Sequence, residues 1–145
     1  LISLALFGII TTVSAASVDQ ERVVRPAGTM PATASHEELL TKGEQLWNDP
    51  SLGNSKLACS SCHKNNVSRF KKTFLEPYPH SVKMAKKKTK LDEVSAEGMV
   101  QLCMIVPMKT EPLPWNSVEL AALTTYMQEV VQADYITKKG PKDKN

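Results

Sequence analysis

Cysteine is scarce in this 145-residue chain, three in all, and the odd count excludes a closed set of disulfides. Charge of one sign is not in excess. Lys+Arg 18 against Asp+Glu 15 leave a net charge of +3, too small to point to nucleic acid. No stretch alternates strongly enough for a sheet and no internal repeat appears, which leaves an all-α architecture. A paired general acid and base, a nucleophile triad and a phosphate-binding loop are all missing, so autonomous enzyme activity is not expected. At 16.0 kDa and 41% hydrophobic, the chain has the size of one domain.

What is present begins with an export signal. Residues 1–18 carry no charge, Leu1 to Ile10 are almost wholly apolar, and Val13-Ser14-Ala15 or Ser14-Ala15-Ala16 offers a small-residue cleavage pattern. Residues 1–16 read as a bacterial-type signal peptide truncated at its start, and the mature chain is expected in the periplasm. Thr11, Thr12, Ser14 and Ser17 make the stretch too polar for a stable membrane anchor. No Cys follows the site to take a lipid. The leftover thiol of an exported chain therefore needs another explanation.

Residues 17–34, with Pro26, Gly28 and Pro31, lack the period of any element and read as a flexible arm. Residues 35–136 read as the folded domain and 137–145 as a polar tail. Three main helices are expected, joined by long loops. The first starts at Ser35, where Glu38 completes a capping box, and carries Leu39, Leu40, Gly43, Leu46 and Trp47 on one face to about Asn48. Ser95 caps a second, from Ala96 to about Ile105, stopped by Pro107. Asn116 with Glu119 caps a third, whose stripe of Leu120, Leu123, Met127, Val130 and Val131 runs to about Ala133. Asn65 to Leu91 reads as loop with one helical turn around Val82 to Lys86. Helices this short bury a thin core, which a prosthetic group would thicken.

Cys59-Ser60-Ser61-Cys62-His63 supplies one. C-x-x-C-H is the pattern of covalent haem c attachment: two thiols on one helical turn reach the two vinyl groups of a porphyrin, and the next residue places an imidazole under the iron. A thioredoxin-like redox pair needs a βαβ context, and a zinc site needs a second ligand pair; the chain has neither.

Gly43, Leu46 and Trp47, the C-x-x-C-H run and the Trp115 to Tyr126 segment resemble a monohaem cytochrome c of the class I fold, over about residues 35–135. The resemblance implies that the first and last helices cross, with Gly43 allowing close approach to Leu123 and Tyr126. It also implies a distal iron ligand from the segment before the last helix, commonly Met. Met108, in an extended Pro-flanked loop, is the conventional choice, and Met104, Met99 and His80 are further candidates. Cys103 is favoured: ligation would use the unpaired thiol and hold it as thiolate, against a free pKa of about 8.5. Leu102-Cys103-Met104 followed by Pro112-Leu113 is similar to His/Cys-ligated haem proteins, namely the SoxA-type sulfur-oxidising cytochromes and the NaxLS-type heterodimer of anaerobic ammonium oxidation, which binds NO and CO.

Thiolate stabilises ferric iron, so that resemblance implies a low potential and a sixth position that opens on reduction to NO or CO. The function expected is a carrier, sensor or regulator, as a dimer or one subunit of a heterodimer. The alternatives are a conventional His/Met electron carrier and a subunit of a sulfur-oxidising enzyme. Gln101 and Leu102 stand where a sulfur-oxidising site has its adjacent Arg, which counts against the last. From Arg69 to Lys90, eight basic residues face the single acid Glu76, a local balance of +7 that suits an acidic redox or regulatory partner. Phe70, Phe74, Tyr78 and His80 in the same segment are expected to wall the haem pocket, and Trp47 and Trp115 to pack in the core.

Overall fold

The computed structural model describes residues 17–141. The expected signal peptide, 1–16, and the last residues of the expected tail, 142–145, lie outside the described residues. Among the described residues no strand forms. The one β-bridge pairs His80 with Val94, each N–H donating to the other's carbonyl at 3.3 and 3.1 Å.

Six helices follow in order: α1 His36–Trp47, α2 Cys59–Cys62, α3 Lys83–Thr89, α4 Ala96–Ile105, α5 Val118–Tyr126 and α6 Ala133–Lys139. Short 3-10 turns lie at Gln20–Arg22, Lys64–Asn66 and Lys72–Leu75. Serines cap the three expected helices. Ser35 Oγ accepts from Glu38 N–H at 3.2 Å, Ser95 Oγ from Gly98 N–H at 3.0 Å and Ser117 Oγ from Leu120 N–H at 3.2 Å. The last cap is therefore Ser117 and not Asn116, because a turn in which Ser117 N–H donates to Pro114 O sets the entry one residue later.

The last helix also runs further than expected. Leu123, Met127, Val131 and Tyr135 are all buried, at intervals of four. In a strict α-helix each such step drifts by ~40° around the axis. A wide π-turn over Met127–Gln132 absorbs the drift, so the stripe stays inward and the helix continues as α6. Thr137 to Lys139 are thus helical, a correction to the tail boundary at 137. Leu120, Leu123, Met127 and Val131 pack with Trp47, Phe74, Val100 and Tyr135 in the main core, each worth about 1.5–3 kcal/mol of burial.

Gly43 brings α1 against α5. A β-carbon there would stand 2.5 Å from Tyr126 Cβ and would collide with the Ala122 carbonyl. Close approach at Gly43 is as expected, with Ala122 rather than Leu123 as the second contact.

Residues 17–34 are not a loose arm. Val18 and Val23 are buried with Ala85, Val94 and Leu102 in a second cluster, and Val18 N–H donates to Lys88 O at 2.9 Å. The Arg25 guanidinium grips Glu97 through two nitrogens and donates to Trp115 O at 2.6 Å, with its carbon 5.3 Å from the Trp115 ring centroid. Segment 18–29 is therefore a strap across α4. It has no helical or strand period because side chains far along the sequence hold it.

Candidate functional site

Cys59 and Cys62 bound the single turn of α2, and His63 follows directly. Ser61 Oγ closes the turn by accepting from Ala58 N–H at 3.0 Å, and His63 N–H donates to Cys59 O at 3.0 Å. Both thiols are free and partly buried, so neither is consumed by a disulfide. Burial pushes the Cys59 thiol up to about 11.

The His63 ring stacks against two aromatic rings and is held at one nitrogen. Its centroid is 4.1 Å from Phe70 at an interplanar angle of 13°, and 5.8 Å from Trp47. Nδ1 lies 3.1 Å from the Ser68 carbonyl, a bond that places the proton on Nδ1 and leaves Nε2 to a metal. Burial keeps the imidazole below its ordinary pKa, which favours the neutral form that ligates. From His63 an aromatic column continues through Phe70 to Phe74, 3.8 Å apart and near parallel, then to Tyr78 and His80. Tyr135 meets Phe70 and Phe74 edge-on.

Cys103 lies on α4, in another part of the chain. It keeps some accessible surface, yet protein atoms crowd its sulfur enough to push the thiol up to about 12. Burial raises the Tyr78 hydroxyl above its ordinary pKa.

The other sulfur candidates sit differently. Met99 is partly buried and packs against the second cluster. Met104 is 2% exposed and its carbonyl accepts from Thr110 N–H at 3.0 Å. Met108 is 3% exposed, and its N–H donates to Cys103 O at 3.1 Å while its carbonyl takes Ser55 N–H at 3.1 Å. Its backbone and β-carbon press on Gly53. His80 is 3% exposed, with Nδ1 3.4 Å from Pro77 O.

Two residues hold this site in roles the sequence did not reveal. Ser68 contributes only a carbonyl, which no side-chain pattern reveals. Gln101 is wholly buried, and its amide pairs with both backbone groups of Leu113: Oε1 accepts from Leu113 N–H at 2.8 Å and Nε2 donates to Leu113 O at 2.6 Å. A glutamine on an apolar helix near Pro-Leu-Pro was the available signal.

Two free thiols on one turn and a histidine with one nitrogen anchored fit a covalently attached haem c. The model of the SoxA/TsdA cytochrome c domain family matches residues 42–134, from within α1 to the start of α6. No curated protein and no solved structure matches the chain.

Proposed function

The chain belongs to the SoxA/TsdA cytochrome c domain family and is a c-type cytochrome; from that membership we propose an exported, low-potential protein with His63 and Cys103 as axial ligands, which binds NO or CO when reduced. It acts as a carrier, sensor or regulator, as one subunit of a dimer or heterodimer. The observation that supports this reading best is the position of Cys103. It lies on α4, in the segment before the last helix, with its sulfur crowded by protein atoms, while the Met108 backbone is tied to the loop at Gly53 and Ser55.

Haem c, when bound, would supply a one-electron centre. Cys59 and Cys62 hold it through their Sγ atoms. His63 offers Nε2, with Ser68 O fixing the ring from the other side. Cys103 moves a proton. As a ligand it would be a thiolate, whereas burial by itself favours the protonated thiol, so away from the iron Sγ would hold a proton. With haem c bound and reduced, Cys103 would be the residue that gives way to a small neutral molecule.

A second reading, a subunit of a sulfur-oxidising enzyme, is favoured by the family itself. Helix α4 carries no Lys or Arg to meet a sulfur oxyanion. Gln101, two residues before Cys103, has its amide fully engaged with Leu113. A conventional His/Met carrier is the third reading, through Met108.

Optical and EPR spectra of the ferric protein, then dithionite and CO on the same sample, separate these readings. A thiolate-type low-spin signal, absent in Cys103→Ser and kept in Met108→Leu, followed by CO uptake, is the expected result. Loss of the native spectrum in Met108→Leu with no CO uptake by the wild type overturns it. Reduction by thiosulfate selects the sulfur-oxidising reading.

A further inference from the structure

The sulfur candidates for the distal position, Met99, Cys103 and Met104 on α4 and Met108 just after it, all stand between Glu97 and Trp115. One side chain of the strap spans both ends of that segment. Arg25 Nε donates to Glu97 Oε2 at 2.9 Å and its Nη2 to Glu97 Oε1, while Nη1 donates to Trp115 O at 2.6 Å. The guanidinium carbon lies 5.3 Å from the Trp115 ring centroid. A bidentate carboxylate bond, a carbonyl bond and a ring contact together use the planar fork, which a lysine ammonium cannot reproduce.

The strap's own turn orients that fork. Thr29 N–H donates to Pro26 O at 3.1 Å, with Gly28 at a φ of 80° that suits glycine, and Arg25 Nη1 reaches Thr29 O at 3.4 Å. Arg25 and Glu97 are 19% and 22% exposed in their side chains, so the pair escapes much of the screening that weakens surface ion pairs. The Arg22–Glu111 pair, also between strap and segment, differs: at 2.8 Å it is 35% and 89% exposed, and such a pair adds little.

Packing presses the strap on the same helix. A β-carbon on Gly98 would collide with the Val23 carbonyl, so strap and α4 meet with nothing between them. Val18 and Val23 share a buried cluster with Leu102, the neighbour of Cys103 in sequence. From within the segment, Gln101 ties α4 to Leu113 through both groups of its amide. Residues 97–115 thus form a loop whose ends are joined by Arg25 and whose middle is joined by Gln101.

We propose that Arg25 is a positioning residue for the distal iron ligand: by joining Glu97 to Trp115 it keeps the segment that carries the ligating sulfur from swinging away. A ligand leaves a metal only if its backbone can give way, and groups that hold a ligand from behind set how readily it does so. The proposal rests on the distal ligand being one of the sulfurs of this segment, and holds for whichever of them it is.

The test uses the ferric holoprotein and imidazole, a small ligand that binds the iron once the distal residue has left. Arg25→Gln is expected to bind imidazole about tenfold faster than wild type, equivalent to ~1.4 kcal/mol in the barrier, with Arg25→Lys between the two. EPR of Arg25→Gln without imidazole is expected to show a second low-spin species from a displaced ligand. Arg22→Gln, which removes only the exposed pair, and Ser35→Ala, which destabilises the chain at the distant cap of α1, are expected to stay within about twofold of wild type. Should Arg25→Gln yield no holoprotein, Arg25→Lys carries the same comparison. Imidazole binding no faster than in wild type overturns the proposal, and so does an acceleration matched by Arg22→Gln or Ser35→Ala, which makes Arg25 a residue of general stability. A wild-type EPR signal kept alike by Met99→Leu, Cys103→Ser, Met104→Leu and Met108→Leu overturns it at its premise, and so separates failure of the sulfur-ligand reading from failure of the Arg25 clamp. CO enters neither readout, so failure of the gas-binding reading leaves this result intact.

Discussion

Replacing Gln101 by Ala is expected to loosen the chain around Cys103 more than any surface change. Pro112 and Pro114 have no N–H, so Leu113 carries the only donor of that segment, and Gln101 satisfies it together with the Leu113 carbonyl. Truncation removes two hydrogen bonds of about 1 kcal/mol each and leaves two partly buried backbone groups without protein partners. The expected cost is about 2–4 kcal/mol. With a urea slope of about 1–3 kcal/mol/M, the unfolding midpoint of the holoprotein falls by roughly 1–2 M. Gln101→Glu supplies the control. Its carboxylate can accept from Leu113 N–H but opposes the carbonyl, whereas the protonated acid restores both bonds. Burial raises the folded-state pKa of that acid, so the stability it contributes is fully present below the unfolded value of ~4.3 and is lost as pH rises through the folded pKa. Urea titrations from pH 7 to pH 4.5 should therefore show Gln101→Glu gaining on the wild type as pH falls. A Gln101→Ala variant within 0.5 kcal/mol of wild type, or a Gln101→Glu deficit independent of pH, refutes the reasoning.

Gly43→Ala places a methyl against the Ala122 carbonyl and Tyr126 Cβ, and is expected to cost about 1–3 kcal/mol in thermal unfolding by forcing α1 and α5 apart. Arg25→Gln leaves Glu97 without its partner and frees the Trp115 carbonyl; a loss of about 2 kcal/mol is expected, with faster amide exchange in residues 96–117. Asp134 is held below its ordinary pKa by hydrogen bonds from Lys138 and then Asn66. Its contribution is present above the unfolded value and is lost as pH falls through the lower folded value. Acid titration of the α6 amide signals should show this step, and Asp134→Asn should remove it. Replacing Cys59 and Cys62 by Ala abolishes covalent haem, seen as a chain of apoprotein mass, and recovery of a folded, haem-free variant refutes the view that the haem completes the core.

The sequence by itself determined the features whose information is local. C-x-x-C-H is one turn of helix, so the spacing alone yields two thiols and an imidazole in series. The bounds of α1 and α4 follow from Ser35 and Ser95 as caps and from Pro107 as a stop, each acting over a few residues. Only the tertiary structure decided the rest, because the contacts join positions far apart along the chain or lie in backbone groups without a side-chain signature. Arg25 finds Trp115 and Glu97, which turns an apparent arm into a strap. Lys138 reaches Asn65, which turns an apparent tail into a helical brace for the loop that anchors His63. Above all, the sequence offered Cys103 as one thiol among several sulfur candidates. Packing around α4 crowds its sulfur and favours the protonated thiol, an effect of neighbours in space and not along the chain.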